Sequence, residues 1–128
     1  MKKCIVCKKC GFEAVNSRTQ PLQEVVRQTF GGQLADIAIE GTGYGSALNQ
    51  AITCICPFGT ITLLGNPAAD TTITKACHSQ LLRKEVTIRA IWNSHYSNLP
   101  INEWRYTVDQ MDNGTFDCID LISHTCTL

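Results

Sequence analysis

Residues 35–67 read ADIAIEGTGYGSALNQAITCICPFGTITLLGNP, and this stretch decides the fold. Its apolar start, residues 35–40, is typical of a short buried strand, and the glycines at 41–45 form the turn that follows. Residues 46–56 predict a helix, and residues 60–64 predict the next strand. A strand, a helix and a second strand, each bounded by glycine or proline, form a βαβ unit whose strands are parallel neighbours. The stretch therefore predicts an α/β fold with a mostly parallel sheet and crossover helices.

The flanking segments continue the same alternation. Helices are predicted at residues 1–10, after Pro21 and at 101–112, and strands are predicted at 13–16, 86–92 and 119–123. The best strand signal is VTIRAIW at 86–92, where apolar and polar residues alternate. Residues 73–83 are ambiguous and could form a helical turn.

Length and charge limit the function classes. The chain has 128 residues, 44% of them hydrophobic, which predicts a single domain over residues 1–128 with a modest core. Its formal net charge is zero and it has no basic block, so we expect neither nucleic acid nor a membrane surface as a partner. No apolar run approaches the roughly 18 residues of a membrane span. We expect a cytoplasmic protein.

Eight cysteines are a high count for such a chain. Three of them, Cys4, Cys7 and Cys10, have a spacing that suits zinc or an iron–sulfur cluster, but a closed site needs a fourth ligand. The other interpretation is a lysine-flanked helix whose cysteines spread over one face. The remaining five are expected to be free thiols in a reducing compartment: Cys54, Cys56, Cys77, Cys118 and Cys126.

The glycine-rich residues 41–45 allow two interpretations. They follow a strand and open a helix, as the glycine loop of a dinucleotide-binding site does. However, Ser46 replaces the third glycine, and no acidic residue follows the next strand before Asp70. The alternative is a tight βα turn whose backbone lies near a ligand.

No catalytic residue is predicted from the sequence. The acidic residues Asp36, Glu40 and Asp70 form no obvious acid/base pair. The histidines are scattered without a metal-binding motif, at His78, His95 and His124.

Several ordered segments resemble a known family. Residues 11–16, 35–43, 59–65, 82–94 and 121–124 are similar to the second half of the cofactor domain of medium-chain zinc-dependent alcohol dehydrogenases, and above all to its polyol and sugar-alcohol-phosphate members. The resemblance implies a partial Rossmann-like domain, the C-terminal portion of an NAD(P)-binding domain. In that family the glycine fingerprint, the ribose-binding acid and the catalytic zinc ligands lie upstream of the matched region.

The resemblance also implies a function. The chain would be a piece of an NAD- or NADP-dependent, zinc-dependent alcohol or polyol dehydrogenase, inactive alone, with only part of the cofactor site and without the zinc ligands. The residues expected to line the nicotinamide end are Thr42, Leu64, Ala90, Ile91 and Trp92. A homodimer through the strand at 86–92 is expected, as in the family. The alternative is a non-enzymatic metal- or thiol-binding module that uses Cys4, Cys7 and Cys10.

Overall fold

The computed structural model describes residues 2–92, 102–122 and 124–127, and within them it contains five α-helices, three strands and one 3-10 turn. In chain order they are α1 Lys2–Lys9, α2 Leu22–Thr29, β1 Ala35–Glu40, α3 Gly45–Cys54, β2 Ile55–Leu63, α4 Lys75–Lys84, β3 Thr87–Ala90, α5 Glu103–Asp112 and the turn Ile119–Leu121.

The chain divides into two compact units. The sheet unit comprises Val15–Trp92 and holds all three strands. The terminal unit combines Met1–Ala14 with Asn93–Leu128, and it holds α1, α5 and the 3-10 turn. The expectation of a single domain over residues 1–128 stays a prediction.

The sheet is parallel with strand order β1-β2-β3. Glu40 pairs with Leu63, and Leu63 pairs in turn with Ala90. The carboxyl ends of the three strands therefore lie side by side at one edge. The predicted α/β fold with parallel strands and crossover helices is confirmed, and β1 agrees with its predicted limits.

The core of the sheet unit lies between β2 and the crossover helices. Leu48 and Ile52 of α3, Ile55 and Ile61 of β2, and Cys77 of α4 form one buried cluster. Ala38 of β1 packs against this cluster. Its neighbours in the strand, Ile37 and Ile39, are exposed. The helices thus cover one face of the sheet within the sheet unit.

The junction of α3 and β2 lies earlier than predicted. The helix ends at Cys54 instead of Cys56 because Ile55 is already extended, with ψ at 142°, and Pro57 soon follows. The strand then includes Pro57 and Gly59, two residues that the sequence suggested were outside it. The register shifts between Ala35 and Ile37, and this irregularity accommodates the extra residues.

Two predicted strands are wrong. Residues 13–16 form no strand, because no described strand lies beside them to pair with. Residues 119–121 form a 3-10 turn in place of the strand predicted at 119–123, whose last residue lies outside the described part.

The remaining elements are close to expectation. The ambiguous segment 73–83 contains α4, which starts after Thr74, whose side chain accepts a hydrogen bond from the Cys77 amide. The strand predicted at 86–92 is shorter, Thr87–Ala90.

Within the described residues, no helix has the length and apolar character that crossing a membrane requires. Cys54, Cys56, Cys77, Cys118 and Cys126 are free thiols, as predicted.

Candidate functional site at the carboxyl edge of the sheet

The candidate site lies where the three parallel strands end. Open α/β sheets bind their ligands at this edge. The Leu64 amide donates to the Glu40 carbonyl at 2.8 Å, and the Ile91 amide donates to the Leu63 carbonyl at 3.0 Å. These bonds continue the pairing past the ends of β2 and β3. We call residues 41–43, 64–66 and 90–92, which lie at or directly after the three strand ends, the carboxyl edge.

The five residues predicted to bind cofactor all lie at the carboxyl edge. Thr42 follows β1, Leu64 follows β2, Ala90 ends β3, and Ile91 and Trp92 follow it. All five are exposed, with Leu64 at 52% and Trp92 at 68% of their full accessible surface. The fold therefore brings together residues that are up to fifty positions apart in the sequence.

A buried carboxylate lies beneath this edge. Glu40 is only 7% exposed, and its Oε1 accepts hydrogen bonds from the Thr42 amide at 2.7 Å and the Thr42 hydroxyl at 2.5 Å. The Gly43 amide donates to both carboxylate oxygens, at 3.0 and 3.2 Å. Burial raises the pKa of this carboxyl, but the hydrogen bonds from Thr42 and Gly43 outweigh it and hold the pKa below its usual value. The Glu40 carboxyl is therefore ionised at neutral pH.

The loops that follow β1 and β2 touch through their backbones. Gly43 has φ at +75°, and a Cβ there would lie 1.9 Å from the Asn66 carbonyl oxygen. A Cβ on Gly65 would lie 2.2 Å from the Gly43 nitrogen. Both positions therefore require glycine, and the loops that follow β1 and β2 hold each other in place.

Four backbone amides of the first two edge loops are already occupied, whereas two carbonyl oxygens there are free among the described residues. The Thr42 and Gly43 amides are used by Glu40, and the Leu64 and Gly65 amides donate to its carbonyl oxygen. Within the part of the chain that the structure describes, the carbonyl oxygens of Thr42 and Leu64 accept no hydrogen bond. These two carbonyl oxygens suit a ligand that donates hydrogen bonds.

This arrangement distinguishes between the two interpretations of residues 41–45. A phosphate loop presents free backbone amides to the anion. Here the amides of Thr42 and Gly43 already bind a carboxylate, whose charge would repel a phosphate. A cavity of about 290 Å³ lies at the start of α3, but its lining includes Asp70. The geometry favours the tight βα turn.

Reasoning from the sequence assigns no functional role to Glu40. It was considered only as a possible acid/base partner, although one signal was present: an acidic residue at the last position of a buried strand, directly before a Gly-Thr-Gly turn. Burial of that side chain requires donors, and the turn supplies them.

The cysteine and histidine candidates do not converge in the described residues. Cys7 and Cys10 are exposed, and they line a cavity of about 510 Å³ in the terminal unit together with Phe12 and Phe116. The Cys4 side chain and His95 lie outside what is described, and His78 and His124 are exposed on different units. No group of three His, Cys, Asp or Glu side chains among the described residues could hold a metal ion.

Comparison with solved structures supports the fold. Galactitol-1-phosphate dehydrogenase from Escherichia coli superposes with a TM-score of 0.81 at 24% identity, over 96% of this chain and 36% of that one. The 2R,3R-butanediol dehydrogenase of Bacillus subtilis gives a TM-score of 0.77 at 20% identity, over 95% and 33%. An alcohol dehydrogenase of Escherichia coli CFT073, solved with NADH, gives 0.74 at 23%, over 98% and 34%. The fold is a partial Rossmann-like domain.

Sequence comparison identifies the family. Galactitol 1-phosphate 5-dehydrogenase of Escherichia coli K12 is 25% identical over 113 residues, which are 88% of this chain and 32% of the relative. The chain thus spans about a third of the length of the curated relatives that it matches. The profile of the zinc-binding dehydrogenases matches residues 1–113. The chain belongs to this family, the medium-chain zinc-dependent alcohol dehydrogenases.

Proposed function

We propose that the carboxyl edge forms the nicotinamide side of the NAD or NADP site in a zinc-dependent alcohol or polyol dehydrogenase. Thr42, Leu64, Ala90, Ile91 and Trp92 would line it. The observation that carries the proposal is the set of backbone acceptors at Thr42 and Leu64 beside exposed apolar side chains. A dehydrogenase solved with NADH shares the fold, which supports the choice of ligand.

The chemistry of nicotinamide fits these groups. Its carboxamide carries an amino group with two donors, which suit the carbonyl oxygens of Thr42 and Leu64. Its ring is flat, and its faces suit contact with Leu64, Ile91 and Trp92. When bound, the nicotinamide ring supplies the hydride acceptor or donor of the reaction. This end of the cofactor is common to NAD and NADP, so the proposal covers both.

Zinc does not fit the described residues. They contain no cluster of three possible ligands, so we derive no step through the metal. The residues of this chain would orient the nicotinamide ring and exclude water from one side of it. We therefore expect the isolated chain to show no alcohol dehydrogenase activity, even with zinc and either cofactor added.

A cytoplasmic location is also proposed, in keeping with the free thiols.

The metal- or thiol-binding alternative stays a hypothesis without support from the comparisons. Cys7 and Cys10 are free and exposed, but membership of the dehydrogenase family already accounts for residues 1–113, which include them. No observation on the described residues favours a metal there.

We further propose a homodimer joined through β3 and its flanking residues, 86–92. The outer edge of β3 is unpaired within the described residues, and all four of its residues are exposed. An unpaired strand edge is a template for pairing with a second chain.

Saturation-transfer NMR with NADH tests the proposed function, because the two ends of this ligand give separate signals. We expect the nicotinamide protons to receive more saturation from the protein than the adenine protons. Ala90→Leu adds bulk at the carboxyl edge and should weaken the nicotinamide signal. Thr87→Leu, at the opposite end of the same strand, is the matched control and should not. Saturation that favours adenine, or that both variants reduce equally, would reject the proposal.

A further inference from the structure

A single residue connects two of the three segments of the carboxyl edge, 41–43 and 64–66. The Glu40 side chain accepts hydrogen bonds from Thr42 and Gly43, and its carbonyl oxygen accepts those of the Leu64 and Gly65 amides. The turn after β1 and the turn after β2 are therefore fixed to the same residue. None of the groups that donate these hydrogen bonds to Glu40 is charged.

The carboxylate is matched to this position by charge and by shape. Oε1 receives the amide and hydroxyl of Thr42 and the amide of Gly43, and Oε2 receives a second contact from Gly43. Burial of an unpaired charge is costly, so the hydrogen bonds to the ion must be kept. Glutamine has only one acceptor oxygen, and its amino group would face the Gly43 amide donor to donor. Alanine would leave the amides without a partner.

We infer that Glu40 is a positioning residue for the cofactor, in that it holds the Gly41–Thr42–Gly43 turn so that the Thr42 carbonyl faces the ligand. This inference rests on the proposed function. Glu40 itself is buried and does not act on the reacting atoms. Because its carboxylate occupies the amides of the turn, it also selects for a ligand that donates hydrogen bonds over one that carries an anion at this point.

The test combines amide hydrogen exchange with ligand affinity, on the full 128-residue chain. We compare wild type with Glu40→Gln, and with Glu24→Gln on the exposed surface of α2 as the control. Exchange at Thr42 and Gly43 is compared with exchange at Ile52, a fully buried residue in the last turn of α3, whose amide reports global opening. The dissociation constant of nicotinamide mononucleotide is measured on the same samples.

Glu40→Gln should speed amide exchange at Thr42 and Gly43 about tenfold relative to Ile52, as expected for loss of a hydrogen bond to an ion. It should also raise the dissociation constant of the nucleotide about fivefold or more. The control should change neither. If Glu40→Gln does not fold, Thr42→Val removes one donor and leaves the carboxylate, and it should shift both quantities in the same direction by a smaller factor.

Two results would overturn the inference. Exchange at the turn that changes only in step with Ile52 would mean that Glu40 does not hold the turn locally. A loosened turn with unchanged nucleotide affinity would give Glu40 a structural role alone. The proposed function fails separately, if the wild-type chain shows no binding of the nucleotide at all; the exchange comparison would then still report whether the turn is held.

Discussion

Glu40 keeps a negative charge inside the protein because the donors of one turn converge on it. Burial alone would raise its pKa, yet the hydrogen bonds from Thr42 and Gly43 hold the pKa below the usual 4.5. A carboxyl whose pKa is depressed on folding stabilises the fold fully above its pKa in the unfolded chain. This contribution is lost as the pH falls through the lower, folded pKa.

The first prediction concerns this pH dependence. Glu40→Gln should lower the free energy of unfolding by about 1 to 3 kcal/mol at neutral pH, because it breaks a hydrogen-bonded buried ion. The difference from wild type should shrink as the pH falls below 4.5 and through the lower pKa of the folded state, since the wild-type carboxyl becomes protonated there. Urea unfolding across this range measures it. A difference that stays constant would contradict the ionised state of Glu40.

For single residues, the sequence predicted positions in the fold better than functional roles. The resemblance to the dehydrogenase family implies one shared site for Thr42, Leu64 and Ala90, and the register of the parallel strands brings them to the same edge. The role of Glu40 was missed, because it depends on how residues 41–43 fold back over the side chain that precedes them. Strand and turn propensities do not include this contact.

Among the elements, the junction of α3 and β2 depends on a lysine from α4. The Lys84 ammonium donates to the carbonyl oxygens of Ile52 at 3.1 Å and Ile55 at 2.8 Å, at the C-terminal end of α3. A cation there satisfies carbonyl groups that lack a partner in the helix and suits the helix dipole. Burial lowers the pKa of Lys84.

The second prediction is that Lys84→Met destabilises the sheet unit by about 1 to 3 kcal/mol, because it leaves these carbonyl groups without a donor. Lys75→Met, at the exposed start of the same helix, is the control and should change stability by less than about 0.5 kcal/mol. Chemical unfolding of both variants measures this. Equal effects of the two substitutions would show that Lys84 does not cap α3.

The elements were predicted well where local signals were complete. The limits of β1 were set by its apolar run and the glycine after it. The extent of β2 was missed because Pro57 and Gly59 are usually strand breakers, and here a register shift accommodates them. The predicted strands at 13–16 and 119–123 failed because a strand also needs a neighbour, which a local pattern does not reveal.

For the whole molecule, the third prediction is a dimer at micromolar concentrations that depends on β3. Ile88→Pro should give a monomer by sedimentation, since proline removes a backbone donor and disturbs the seam. Ile37→Lys, on the edge strand β1 at the other side of the sheet, should leave the dimer intact. A strictly monomeric wild type at tens of micromolar, or dissociation by Ile37→Lys alone, would contradict the shared-sheet dimer.

The central claim is that the carboxyl edge binds the nicotinamide end of the cofactor. Titration of the 15N-labelled chain with nicotinamide mononucleotide, and separately with adenosine monophosphate, tests it most directly. We expect the mononucleotide to shift the amide signals of Thr42, Leu64, Ile91 and Trp92 in the millimolar range, and adenosine monophosphate to leave them unchanged. Shifts confined to the cavity beside Asp70 or to the terminal unit, or no shifts at any residue, would contradict the claim.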